Sequence, residues 1–387
     1  MEKNKILYII STIGTGRGGH YHSLNHVSCK LGEAYNVEII SIGPELSPVI
    51  SKNLYFKKHF YFKLGQLVRE INKINYYIKK TNPDIIHFFD KHSYNFLRVF
   101  LIEGSHKVIL TKCGGANDES YPYADNIIAF SNENKDFFKS KNKFRDSFIE
   151  VIPNRVNDLK EMPYEKQKIK KDNHFNFVRI TRITNQYKKS IMNSIKLIKE
   201  LNNVIDVPVR LYIIGVIQDR PLYNEIIRLK KLYKIQLEVL TTEYYTIEAS
   251  NFLYLADAVI GTGRGLMEAA SLGKVLLTIG SNSKYPILVN KETYDNAFHT
   301  NFSERNKFEN TLTNLDNIKK MLLNRKYYEE LSSFSFEKYL SDFSLNNGLQ
   351  KYINFYNESI IGNGHKKDKM KIVKPYLKLI KNEYKNK

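Results

Sequence analysis

Short apolar runs alternate with amphipathic stretches along most of this chain. KILYIIS (5–11), VEIISIG (37–43), DIIHFF (84–89), KVILT (107–111), NIIAFS (126–131) and FIEVIPN (148–154) are runs of strand length. Between the first two, HYHSLNHVSCKLGEA carries Leu24, Val27 and Leu31 at helical spacing. The second half of NLYFKKHFYFKLGQLVREINKINYYIKKTNP is an amphipathic helix that stops before Pro83, and SNENKDFFKSK predicts another helix. Apolar strands that alternate with helices predict a parallel, doubly wound sheet.

VNDLKEMPYEKQKIKKDNH (156–174) interrupts the pattern, being charged and weakly periodic, and reads as a linker. A second alternating series follows. FNFVRIT (175–181), VRLYIIG (209–215), LEVLT (237–241), DAVIG (257–261) and KVLLTIG (274–280) are strand-like. SIMNSIKLIKELNNV, PLYNEIIRLKKLY, TIEASNFLYLA and LMEAASLG read as the helices between them. The expected division is an α/β domain over 1–155, the linker, a second α/β domain over 175–340, helix over 341–360 and a basic tail over 361–387. Ligands of two such sheets are expected in the crevice at the carboxyl ends of the strands.

Composition narrows the class. At 387 residues the chain exceeds the size of a single core, which supports two domains. Its 42% hydrophobic and 26% charged residues describe an ordinary globular protein. No apolar run approaches the ~20 residues that span a bilayer, and the run in MEKNKILYIIS is too short for a signal peptide. Two cysteines, Cys29 and Cys113, make neither a disulfide framework nor a zinc site, which favours a reducing, cytoplasmic setting. The net charge of +20 asks for an anionic partner: phosphorylated substrate, lipid headgroup or nucleic acid.

The pentapeptide GTGRG occurs twice, at Gly14–Gly18 and Gly261–Gly265. The first extends to Gly19, so Gly14, Gly16 and Gly19 fit the dinucleotide fingerprint after a strand. The acid expected at the end of the second strand is missing there, since that strand ends Ser41-Ile-Gly43. Gly16, Gly18 and Gly19 then read either as a loop that lets backbone approach a ligand or as a structural turn. The second copy leads into LMEAASLGK, so the amides of Gly263, Arg264, Gly265 and Leu266 gather at a helix N-terminus suited to an anion. Glu268 follows on the same helix, where a carboxylate can hold ribose hydroxyls or complement the helix dipole. Arg182 and Lys188 lie just beyond a strand, a planar fork and a point charge within reach of a diphosphate.

Taken together, VIPNRVN, RITRITNQYKKS, LYIIG and ADAVIGTGRGLMEAASLGKVLL resemble the retaining glycosyltransferases of the GT-B fold, in the large family 4 group. DIIHFFD and ADNIIAFSNENKDF resemble matching strands of that family's first domain, and Gly18-Gly19 its acceptor-side glycine loop. The resemblance covers about residues 5–360 and implies two Rossmann-like domains facing a cleft, with the 341–360 helix packing back on the first domain. It further implies a metal-independent, retaining hexosyltransferase without a cofactor, whose donor is a UDP- or GDP-sugar. Arg182 and Lys188 would neutralise the diphosphate and Glu268 would hold the ribose. His20, His87 and Lys112 are the acceptor-side candidates. One departure stands out: the family's first glutamate, ahead of the ribose-binding one, is missing, and Ile260 stands eight residues before Glu268.

From Lys366 onward the tail is lysine-rich, with Val373, Leu377, Ile380 and Tyr384 at helical spacing. This fits a basic segment on anionic lipid, over 362–387, and equally a disordered charged terminus. The expected partners are a nucleotide sugar, a glycan or lipid-linked glycan acceptor, and the inner face of the plasma membrane. LYFKKHFYFK (54–63) interleaves bases and aromatics, but no RNA-binding signature accompanies it and no nucleic acid is expected. The expected function is sugar transfer in bacterial surface polysaccharide synthesis. The alternatives are a sugar-nucleotide epimerase of the same fold and a decayed nucleotide- or membrane-binding scaffold.

Overall fold

In the first unit most strands carry apolar side chains on both faces, and the chain winds helices to either side of them. The computed structural model describes residues 3–364 apart from 15, 63–64, 99, 102–105, 170, 310 and 363. The chain divides into two units: residues 1–155 with the segment from Leu345 onward, and Val156–Ser344.

The first unit runs β1 (Lys5–Ser11), α1 (Gly19–Leu31), β2 (Asn36–Gly43), β3 (Phe56–Tyr61), α2 (Leu67–Thr81), β4 (Ile85–Phe88), α3 (Lys91–Leu97), β5 (Lys107–Lys112), β6 (Asn126–Ala129), α4 (Asn132–Lys139) and β7 (Phe148–Val151). The sheet order is β3-β2-β1-β4-β5-β6-β7 with all neighbours parallel. Two apolar layers bury it. Ile71, Ile74 and Ile78 of α2 pack on Leu7, Ile9 and Phe60, while Leu24, Val27 and Leu31 of α1 pack on Ile6, Tyr8 and Ile10. The order reverses between β1 and β4, and that break leaves a crevice at the carboxyl ends of those two strands.

The second unit runs β8 (Phe175–Ile180), α5 (Lys188–Val204), β9 (Val209–Ile214), α6 (Arg220–Tyr233), β10 (Gln236–Leu240), a short α7 (Glu243–Thr246), β11 (Ala258–Gly261), α8 (Arg264–Ser271), β12 (Val275–Thr278) and β13 (Ile287–Leu288). Helices α9 (Tyr294–His299), α10 (Asn314–Leu323) and α11 (Arg325–Lys338) follow. The sheet order is β10-β9-β8-β11-β12-β13, parallel except for β13. Here the reversal falls between β8 and β11. TIEASNFLYLA, expected as a helix, is α7 and then a 3-10 turn over Ala249–Leu255 that buries Phe252 to Leu255. The charged stretch 156–174 lies along this unit, with Leu159, Met162 and Ile169 against its core and Lys274 paired with Glu161.

The final described helix, α12 (Leu345–Glu358), belongs to the first unit and packs on α1. Tyr356 holds it there by hydrogen bonds to Tyr8 (2.7 Å) and to His87 (2.9 Å). It starts at Leu345 rather than 341, because Tyr339–Phe343 form a π turn in which Phe343 stays in the core of the second unit. The basic tail beyond Gly364 lies outside the described residues.

Candidate functional site

In the second unit, the segment after β8 is held by backbone rather than by side-chain packing. Thr181 N–H bonds Ile214 O and Ile183 N–H bonds Val216 O, both at 2.9 Å. A Cβ on Gly215 would stand 1.8 Å from the Thr181 carbonyl, so only glycine permits this approach. Asp219 caps α6 through Leu222 N–H at 2.8 Å and also accepts from the Asn185 amide. Arg182 therefore projects from an anchored turn. It is exposed, with its guanidinium 3.2 Å from the Tyr187 hydroxyl.

Lys188 opens α5 and pairs with Glu225 of α6 at 2.8 Å, a half-exposed pair that binds it weakly enough to be redirected. Its neighbour Lys189 donates to the Ser281 carbonyl beyond β12 at 2.7 Å. Sequence reasoning missed Arg179, one turn of strand earlier. It is 2% exposed, donates to Ser190 (2.7 Å) and lies 3.5 Å from Glu304. Burial lowers its pKa to about 10, against the pull of Glu304. An arginine in the middle of the apolar run FNFVRIT was the available signal.

Across the switch point, Gly263 caps α8 with φ +51°, a conformation open to glycine. Its N–H is spent on Phe302 O at 3.2 Å, and Leu266 N–H turns back to Gly263 O at 3.1 Å. Of the four amides expected to form the anion site, those two serve the cap itself. The amides of Arg264 and Gly265 sit in the first turn, where no carbonyl of the helix can reach them. Arg264 Nε donates to Glu268 Oε1 at 2.8 Å, with side-chain exposures of 11% and 15%. Burial raises the Glu268 pKa and Arg264 opposes it.

One loop links these parts. Asn301 and Phe302, both at positive φ, reach Gly263, while Glu304 reaches Arg179 and Asn306 O accepts from Ser281 N–H at 2.7 Å. This loop thereby contacts β8 and the segments that follow β11 and β12; Arg182 and Lys188 follow β8, and the α8 N-terminus and Glu268 follow β11, its neighbour in the sheet. No sequence pattern marked 301–306, because its role lies in contacts between elements far apart in the chain. Ile260, where the family's first glutamate would stand, is fully buried in β11.

In the first unit the glycine loop is chiefly structural. A Cβ on Gly16 would lie 2.7 Å from Ser47 Cα, and Ser47 Oγ donates to Gly16 O at 2.6 Å. Gly18 is the N-cap of α1 and Gly19 its first residue. Across the switch point, Asp90 accepts from Ser11 N–H (2.6 Å), Ser11 Oγ (2.7 Å), and His92 and Ser93 N–H (both 2.8 Å). His20 is half-buried near this carboxylate. Burial lowers its pKa, Asp90 raises it and His92 lowers it.

The other two acceptor-side candidates do different work. His87 is fully buried, with one ring nitrogen on Tyr356 and the other 2.6 Å from the Thr111 hydroxyl. It braces α12 and presents no face to a ligand. Lys112 is 8% exposed, and its ammonium donates to the carbonyls of Gly114 and Ala116, clamping a turn whose glycines both have positive φ. Of the three, only His20 stands beside the crevice.

Residues 5–131 match the family model described as glycosyl transferase 4-like. Among curated proteins, none matches the chain by sequence. Solved structures share its fold throughout. A glycosyltransferase from Rickettsia africae is 18% identical, with 92% of this chain and 99% of that one covered at a TM-score of 0.66. HepE from Anabaena, solved in complex with UDP, is 12% identical, with 91% and 99% covered at 0.69. A protein from Listeria monocytogenes described as a UDP-N-acetylglucosamine 2-epimerase is 14% identical, with 91% and 95% covered at 0.57. The expected resemblance is upheld at the level of the fold: the chain has the GT-B fold, and its residues 5–131 are similar to the glycosyl transferase 4-like family.

Proposed function

We propose, from the GT-B glycosyltransferase fold, that this protein is a retaining transferase that moves a sugar from a nucleotide-sugar donor to a glycan acceptor. The observation that carries this reading is the patch at the switch point of the second sheet. There, two exposed cations follow β8, and the neighbouring β11 leads into α8, whose Glu268 is already paired with Arg264. A diphosphate would take the exposed charges of Arg182 and Lys188 and the first-turn amides of α8. Those donors stabilise the negative charge that grows on the leaving phosphate as the anomeric bond breaks. Glu268 would accept from the ribose hydroxyls, and Arg264 opposes the upward pull of burial on its pKa. The acceptor hydroxyl would attack the face that the leaving group vacates, and the departing phosphate would take its proton, so configuration is retained. A UDP-sugar is the favoured donor, in line with the ligand of HepE. Surface polysaccharide is the favoured product, with the acceptor lipid-linked.

Calorimetry with UDP, UDP-sugars and GDP-sugars tests the reading. Binding of one donor that falls at least about tenfold in Arg182→Ala and Glu268→Ala is expected, the size of one or two lost charged hydrogen bonds. Failure of every nucleotide to bind would sink it. A second reading, sugar-nucleotide epimerisation, draws on the likeness to the Listeria epimerase. It is separated by incubating the donor without acceptor and looking for an isomerised sugar.

A further inference from the structure

Helix α2 buries Ile71, Ile74 and Ile78 and turns its other face outward. That face and β3, the edge strand of the first sheet, enclose a groove of about 1110 Å³. Lys5 and Glu38 place it beside the amino ends of β1 and β2, at the far end of those strands from the crevice. Five cations line it, Lys5, Lys58, Arg69, Lys73 and Lys80, against one carboxylate, Glu38. Glu38 is engaged by the Tyr77 hydroxyl at 2.6 Å. Lys73 pairs with the neighbouring Glu70, and Lys5 donates to Thr81 O at 2.9 Å. Lys58, Arg69 and Lys80 are exposed, the Lys58 ammonium lying 5.2 Å from the centre of the Phe60 ring.

Charge on an edge strand by itself requires no ligand, since edge lysines deter pairing with another chain. The groove carries more than that. Tyr76 is 71% exposed and Val68 73% exposed beside these cations, and Asn72 offers an amide between them. An exposed ring, a nearby amide and spaced cations suit a ligand with flat apolar faces, hydroxyls and regularly placed negative groups. We propose that this groove binds an extended acidic oligosaccharide, as a distal subsite for the acceptor chain. The proposal rests on the reading of the protein as a glycosyltransferase. The ring of Tyr76 would stack on a sugar face, Asn72 would bond hydroxyls, and Lys58, Arg69 and Lys80 would pair with carboxylate, sulfate or phosphate groups. The 15 residues of α2 extend about 22 Å, a length for several sugar units rather than one. A bilayer is flat and does not fill a groove. A single-stranded nucleic acid seeks successive stacking rings, and among the described residues that line the groove only Tyr76 presents a largely exposed ring.

The test uses the whole chain and fluorescently labelled oligogalacturonate, with a neutral amylose-derived oligosaccharide of equal length as control. The acidic chain is expected to bind and the neutral one not. Lys58→Glu with Arg69→Glu should weaken binding about tenfold or more, as removed and reversed charges at short range do. Lys196→Glu with Lys231→Glu, exposed positions in the second unit, makes the same change in net charge and should leave binding within about twofold, because distant exposed charges are screened. Tyr76→Ala, at an exposed site that tolerates truncation, should weaken it without changing the salt dependence. Equal losses in the groove and control pairs would overturn the proposal. So would tighter binding of oligo-dT or of phosphatidylglycerol vesicles that depends on Lys58 and Arg69. UDP binding is measured on the same samples. Loss of UDP binding in the wild type with retained glycan binding would count against the transferase reading and leave the groove standing.

Discussion

At the scale of single residues, buried charge and buried imidazole govern the expected behaviour. His87 is neutral in the folded state because burial lowers its pKa from 6.5 to about 3. The unfolded chain takes up this proton below pH 6.5 and the folded one does not, so stability is full above that value and falls as the pH drops towards 3. The slope from this one group is about 1.4 kcal/mol per pH unit. Urea titrations at a series of pH values should show it, and His87→Gln, which keeps an amide for Tyr356 and Thr111, should flatten it. Arg179 and Glu304 make the complementary case. Glu304→Ala strands a guanidinium that is 2% exposed, and should destabilise the second unit by about 2–4 kcal/mol. Arg179→Met in the same chain should restore part of that loss, measured by thermal unfolding of both single variants and the pair. An absence of recovery would mean that the pair does not hold the 301–306 loop.

At the scale of elements, strand ends matter more than strand interiors. Gly215→Ala puts a methyl against the Thr181 carbonyl, where neither backbone can yield without breaking the bonds from Thr181 and Ile183 to β9. The expected loss is about 1–3 kcal/mol, with weaker UDP binding because Arg182 rides on that turn. Calorimetry and chemical denaturation of this variant report both. The apolar runs made most strands legible, because a strand buried on both faces needs continuous hydrophobic side chains. β3 was not legible as a strand: FKKHFY alternates bases with aromatics, as an edge strand with one wet face does. The two residues of β13 carry too little pattern to be read. The segment after β10 read as one helix because its apolar spacing suits a 3-10 turn about as well.

At the scale of the whole molecule, two switch points recur, one in each sheet, and both GTGRG copies lie at them. The first follows β1 and packs on the turn after β2. The second follows β11 and caps α8, where Glu268 lies. Among the described residues no helix is long and apolar enough to cross a membrane. Attachment to an anionic surface, one of the two expectations for 362–387, is tested by ending the chain after Gly364. Sedimentation with phosphatidylglycerol vesicles should fall, by about 1 kcal/mol of binding for each lysine near the surface, while UDP binding stays unchanged. Unchanged sedimentation would leave the tail as a charged terminus without a membrane role.

The sequence alone determined the parallel α/β class, the doubling of that unit, and the positions of Arg182 and Lys188 after β8 and of Glu268 on the helix after β11. Those follow from local rules, since burial on both faces dictates apolar runs and a glycine turn before a helix exposes amides. Only the tertiary structure decided which polar residues face a crevice and which are spent inside. His87 and Lys112 looked available and are used to hold α12 and a glycine turn. Arg179 and Glu304 looked unremarked and tie three strand ends together. A polar side chain's role depends on the partner that meets it, and for Arg179 and His87 those partners come from residues 11 to 269 positions away, a relation that no local pattern records.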